Sequence, residues 1–228
     1  MADPDPRIRQ FVAGNPGATE KLLETLATDA DPSVRKAVAR RATGKLREAL
    51  AADADRSVRA VLAVEQVAQS EELAQDLSQD PDSGVRSAVA LRATDEELLE
   101  RLAVDQSAVV RSSVARNSKA PESLLIRLVG DVDPSVREAA AANDRTPISC
   151  LEKLLEDNDR RTFLRAKENL RRRGGRCLHT KRFHFETNCI LASACGERGR
   201  QTLLVENDDL RQAWIGPSCN RCQLIWSW

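Results

Sequence analysis

The sequence predicts an all-α fold, a solenoid of two-helix repeats, and three observations carry that prediction. An apolar residue followed by arginine recurs as Ile8-Arg9, Val34-Arg35, Val58-Arg59, Val85-Arg86, Val110-Arg111 and Val136-Arg137, at intervals of 24 to 27 residues. Between these anchors stand segments with leucines four apart, and no stretch alternates apolar and polar residues long enough to argue for strands. Units this short cannot bury their own apolar face, so each lends it to the next along one continuous apolar seam.

The leucine segments come first in the argument. EKLLETLATD begins at Glu20, GKLREALAAD at Gly44, EELLERLAVD at Glu96 and ESLLIRLVGD at Glu122. The pairs Leu22 and Leu26, Leu46 and Leu50, Leu98 and Leu102, and Leu124 and Leu128 each fall on one helical face, so each segment reads as a short amphipathic helix. Leucine at this spacing is core far more often than a partner groove. The helix is expected to stop near a recurring aspartate, found at Asp3, Asp29, Asp53, Asp80, Asp105, Asp131 and Asp157.

Two residues later a second helix is expected, here called the anchor helix. Asp5, Asp31, Asp55, Asp82, Ser107 and Asp133 stand where a side-chain oxygen accepts from free backbone N–H groups, and Pro6, Pro32 and Pro134 follow at the first helical position. Val12, Val38, Leu62, Val89, Val114 and Ala140 form one expected buried column. The next is made only of alanine, at Ala13, Ala39, Ala63, Ala90, Ala115 and Ala141, which implies backbones in close approach. The connections GNPGAT, NSKAPE and NDRTPI carry turn chemistry.

This pattern, LLxxLAxDxDPxVRxAVAxNxxTP, resembles the leucine-rich repeat variant family over roughly residues 3 to 160. The resemblance implies a right-handed superhelix in which an α-helix alternates with a shorter, 3₁₀-like helix. Proteins of this family can carry an iron-sulfur cysteine cluster ahead of the repeats, but no cysteine precedes Cys150 here, so that feature has no residues to rest on. The unit from Val58 departs from the pattern, reading AVEQVAQSEEL without a Pro or Asn turn, and the last degrades to DNDRRTFLRAKENL. The expected organisation is about six helical repeats over residues 1–165 and a divergent extension over 166–228.

Composition bounds the function. The chain has 228 residues, 41% hydrophobic and only 3% aromatic, and its 35 basic side chains equal its 35 acidic ones. Whole-molecule charge therefore gives no general pull toward nucleic acid or an anionic membrane. The balance hides a basic tail, with 10 basic and 5 acidic side chains in residues 171–228. No apolar run is long enough to span a membrane, and a soluble, cytoplasmic protein of bacterial type is expected.

Two readings compete for Arg9, Arg35, Arg59, Arg86, Arg111 and Arg137. In one, each guanidinium pairs with Asp29, Asp53, Asp80, Asp105 or Asp131 in its own or an adjacent unit and bonds loose carbonyls, forming a structural ladder. In the other the arginines form a cationic edge for a phosphate backbone or an acidic peptide. The matching aspartate column favours the ladder. Partner surfaces in solenoids lie on exposed positions of one helix set, for which Lys36, Ala60, Ser87, Ser112 and Glu138 are the candidates.

Beyond Leu170 the repeat text ends, and both histidines, all three tryptophans and five of six cysteines follow. Cys219 and Cys222 have the knuckle spacing of a tetrahedral metal site, and Cys177 and Cys189, or Cys195, His179 and His184, could complete a zinc or iron-sulfur centre. A metal-stapled cap, a basic segment touching an acidic partner and an off-frame extension all stay open. Cys150 reads as a small buried hydrophobe. The repeats contain no His or Tyr and no phosphate-binding glycine motif, and their carboxylates recur as caps. The functional expectation is a non-enzymatic scaffold without a cofactor that binds a protein partner. A nucleic-acid-binding repeat and a metal module in the tail are the alternatives.

Overall fold

The computed structural model describes residues 3–173, in which the chain forms thirteen α-helices and one 3₁₀ turn. The anchor helices are α1 (Pro6–Gly14), α3 (Pro32–Ala39), α5 (Arg56–Gln66), α7 (Ser83–Arg92), α9 (Ala108–Arg116), α11 (Pro134–Ala142) and α13 (Arg160–Arg172). Between them lie the leucine helices α2 (Glu20–Leu26), α4 (Gly44–Ala51), α6 (Glu71–Leu77), α8 (Glu96–Leu102), α10 (Glu122–Leu128) and α12 (Ile148–Leu154). The described residues contain no strand.

Each anchor helix packs directly on the next, from α1 on α3 through to α11 on α13. The leucine helices lie against this row: α2 touches α1 and α3, α6 touches α5 and α7, and α8 touches α7 and α9. Such nearest-neighbour stacking defines a solenoid. The alanine column explains why the anchor row closes so tightly, since Ala13, Ala39, Ala63, Ala90, Ala115 and Ala141 are all fully buried. The column before it is buried from Val38 to Ala140, whereas Val12, in the first unit, is only half-buried.

Helix starts follow the cap chemistry. Asp5, Asp31, Asp55 and Asp133 accept from the N–H two residues on, Asp82 accepts from Gly84 and Val85, and Asp159 accepts from Thr162. Ser107 occupies the same place without a side-chain bond. Each leucine helix ends as the N–H of the recurring aspartate donates to the leucine three residues before it, as Asp29 does to Leu26 and Asp105 to Leu102.

Several expectations need correction. The leucine segments are α-helices of seven or eight residues, not 3₁₀; the 3₁₀ turn among the described residues is Val67–Gln69. In the first unit Leu23, not Leu22, is buried beside Leu26. Ile8 is 49% exposed where the later anchor valines are fully buried, because no described helix precedes α1. The apolar interior forms two clusters, both touched by Val129, rather than a single seam. Finally, α13 runs through the expected boundary at residue 165 and buries Ala166, Asn169 and Leu170 beyond it.

The close approach at the alanine column sets a test. Ala90→Leu is expected to destabilise the fold by about 1–3 kcal/mol through overpacking. A urea melt with an unchanged midpoint would show that the anchor helices have room to spare.

Candidate functional site

Each ladder arginine stands one residue after the anchor position, a buried valine in every unit but the first, where it is the exposed Ile8, and meets the same kind of partners. Arg35 is representative. Its Nε and Nη2 donate to Oδ2 and Oδ1 of Asp53 in the next unit at 2.7 and 2.9 Å, while Nη1 donates to the carbonyls of Asp29 and Ala30 at 2.7 and 3.2 Å. The same two carboxylate bonds join Arg9 to Asp29, Arg59 to Asp80, Arg86 to Asp105, Arg111 to Asp131 and Arg137 to Asp157, and in each case Nη1 donates to two carbonyls five and six residues before the arginine. Four of the five N–H groups of each guanidinium are thereby directed at protein oxygens.

Every aspartate in the row is a node. Asp29 receives Arg9 on its carboxylate, offers Oδ1 to the N–H of Asp31 at 2.9 Å, and gives its carbonyl to Arg35. Because Asp31 caps α3, the ion pair between two units also places the start of the second. The pairs are shielded, with 12–18% of each arginine side chain and 4–11% of each aspartate exposed. Hydrogen bonds from Arg9, Arg86, Arg111 and Arg137 hold the carboxyls of Asp29, Asp105, Asp131 and Asp157 below the ordinary range. Burial pushes the Asp53 carboxyl up, but its bond to Arg35 leaves it lowered as well.

The row ends at α13. There Thr162 takes the buried anchor position and Phe163 the arginine position, with the Lys167 ammonium 5.8 Å from the ring centre. A phenyl ring has no N–H to hand to a further aspartate.

A second row of polar contacts, not foreseen from the sequence, runs along the opposite ends of the anchor helices. Asn117 Nδ2 donates to the carbonyls of Ala90 and Ala93, Asn143 to those of Ala115 and Asn117, and Asn169 to those of Ala141 and Asn143, all between 2.7 and 3.0 Å. These bonds satisfy carbonyls that helix ends leave without partners. Gln66 replaces the asparagine in the irregular third unit and donates to Ala39 at 2.6 Å, which explains how a unit lacking the turn motif still stacks. The signal was present as an Asn ten residues after the cap, at Asn15, Asn117, Asn143 and Asn169, but it read as turn chemistry alone.

The expected partner positions are not open. Ser112 is buried and bonds the Ser135 carbonyl, Ser87 bonds Ser113 at 2.8 Å, and Glu138 meets Arg165 at 3.4 Å; Lys36 and Ala60 are half-buried. They lie between stacked helices. One helical turn later the surface opens: nine residues after each cap stand Arg40, Val64, Leu91 and Arg116 in successive units, all exposed. Cys177, Cys189, Cys219 and Cys222, with Cys195, His179 and His184, lie outside the described residues. Cys150 is buried in α12.

The stacked helices and the repeated ladder define a helical-repeat protein. The chain is similar to a solved leucine-rich repeat variant described as having a novel repetitive structural motif, at 30% identity over 74% of this chain and 67% of that one, with a TM-score of 0.57. It belongs to the leucine-rich repeat variant family. The Escherichia coli protein YibA matches at 20% identity over 76% of each chain, with a TM-score of 0.49. No protein-family model matches the chain, and no curated protein does. Among the described residues no helix is long and apolar enough to cross a membrane.

Two outcomes follow from the ladder. Arg86→Ala removes the bidentate partner of Asp105 and leaves the Asp80 carbonyl short of a donor, so a loss of about 2–4 kcal/mol in urea unfolding is expected. The carboxyls of Asp29, Asp53, Asp105, Asp131 and Asp157 titrate lower in the folded chain than in the unfolded one, so their contribution is complete above the ordinary aspartate value of about 4 and is lost as pH falls below it. Circular dichroism during acid titration is expected to show unfolding that begins at higher pH in Arg111→Ala, where Asp131 has lost its guanidinium.

Proposed function

We propose that this chain is a non-enzymatic scaffold that binds a protein partner on the exposed face of its anchor helices. One observation carries the reading: Val64 and Leu91, 40% and 42% exposed, occupy the same register of consecutive helices, with Arg40 and Arg116 exposed at that register on either side. Apolar side chains at the centre of a patch with arginines at its border are what protein interfaces favour. The stacking contacts beneath hold these positions in a fixed frame, which lowers the ordering cost of docking.

The ladder supports a protein over a nucleic acid as the partner. Its six guanidiniums are shielded and committed to carboxylates and carbonyls, leaving little free charge along that edge for a phosphate backbone. The recurrent aspartates serve as caps and ladder nodes, roles that leave them no part in acid-base chemistry.

The test is affinity capture with cross-link mapping, repeated with the double variant Val64→Glu, Leu91→Glu. Partner binding is expected to fall at least tenfold while the urea midpoint stays put, since both side chains face solvent. Undiminished capture by the double variant would remove this face from consideration. Salt-sensitive retention on duplex DNA that Arg40→Ala and Arg116→Ala abolish would favour the nucleic-acid reading instead.

A further inference from the structure

The arginines at the turn ends of the anchor helices fall into two kinds. Arg41 is committed within the chain, its Nη1 and Nη2 donating to the carbonyls of Asn15 and Pro16. Arg40, Arg92 and Arg116 are exposed and make no ion pair or side-chain hydrogen bond among the described residues. These three bracket the apolar pair: Arg40 stands at the end of the helix before Val64, Arg92 follows Leu91 in the chain, and Arg116 ends the helix after it. The acidic side chain exposed beside them is Glu65. The helices α3, α5, α7 and α9 that carry this face each have a described anchor helix packed on both sides, so the ends of the row do not create it.

Spacing defines what can cover it. Packed helices lie about 8–10 Å apart, which is then about the distance between Val64 on α5 and Leu91 on α7 at one register. A helix lying along the row, rising about 1.5 Å per residue, spans that distance with side chains seven residues apart. From Arg40 on the α3 side to Arg116 on α9 there are three such steps, about 24–30 Å, or roughly 16–20 helical residues. One partner helix is long enough to meet all five side chains.

We infer that the partner meets this face with an amphipathic helix whose apolar residues, seven apart, cover Val64 and Leu91 and whose acidic side chains along one border pair with Arg40, Arg92 and Arg116. Three uncommitted guanidiniums against one glutamate make the border positive, and a carboxylate can take two N–H donors from each fork. A nucleic acid fits less well. Its evenly spaced phosphates would meet Glu65 and set charge against Val64 and Leu91, whereas a pattern of side chains can leave a gap there. The residues beyond 173 also complement the border poorly, with seven basic side chains against five acidic. The inference rests on the anchor-face reading and adds the chemistry of the partner to it.

The probe is a fluorescein-labelled synthetic helix of about 18 residues, with leucines seven apart on one face and glutamates along one border. A second version carries lysines in place of the glutamates. Anisotropy with the full chain is expected to show saturable binding of the glutamate version that falls at least tenfold with Arg92→Glu and Arg116→Glu together, a double variant that then prefers the lysine version. Neither arginine has a partner within the described residues to lose, and circular dichroism checks that the variant is folded. No saturable binding up to about 1 mM, whether because the face is unsuited or because the chain's own residues cover it, overturns the inference. Equal binding of the two peptides by the unaltered chain, or tighter binding of duplex DNA through the same arginines, overturns it as well. A partner captured through Val64 and Leu91 that keeps its affinity for the arginine double variant sinks the inference and leaves the anchor-face reading standing; capture indifferent to Val64→Glu with Leu91→Glu sinks that reading itself.

Discussion

The bidentate bond from the arginine of one unit to the aspartate of the next is the contact on which the rest of the architecture depends. Burial of leucine and alanine drives the helices together, but apolar attraction has no direction and would tolerate many offsets between neighbours. The fork of a guanidinium on a carboxylate does not. Because the same carboxylate holds the N–H of the cap residue two positions on, as Asp29 holds Asp31, the end of a leucine helix, the start of the next anchor helix and the distance between units are set together. Solvent-exposed pairs contribute little, and buried ones gain only when their remaining hydrogen-bonding groups are met. Here the spare Nη1 donors find the carbonyls of the node before, so shielding strengthens the pair.

Much of this was legible in the sequence because the parts recur in register. The arginine and aspartate columns, the caps and the alanine column are one-letter patterns that a stacked geometry turns directly into contacts. What escaped were features that depend on which turn of a helix faces its neighbour. Ser87 and Ser112 vary between units, as an open surface would, yet they sit between helices where small polar side chains bond one another or a backbone carbonyl; the open positions Arg40, Val64, Leu91 and Arg116 lie one turn on. Asn143 carried two signals at once, a turn and a bond to the previous unit, and the local one masked the long-range one.

The irregular units show which parts of the repeat are replaceable. In the third unit the helix runs on to Gln66, and a longer side chain reaches the same Ala39 carbonyl zone that Asn117 and Asn143 serve elsewhere. In the last, Thr162 fills the valine site and bonds both the Pro134 carbonyl and Asp159, so a hydroxyl survives in the core because it is satisfied. Phe163 keeps the volume of the lost arginine but none of its donors. Substitution is tolerated where the carbonyl or the cavity is still met, whatever the residue.

The balanced charge of the whole chain conceals a field. Stacking places the anchor helices side by side with their capped ends together, as Asp31, Asp55, Asp82, Asp133 and Asp159 all lie beside the ladder. At the other ends stand Arg40, Arg41, Arg92 and Arg116, while Arg171 and Arg172 pair with Glu168 and Asp144. Acid at helix starts and base at helix ends complement the peptide dipoles, and each placement is accounted for by helix stability alone. Because the helices are parallel neighbours the small local effects align, leaving one acidic and one basic margin on either side of the anchor face. A partner lying across Val64 and Leu91 would meet opposite charges at its two sides, which selects one orientation over its reverse without any net attraction.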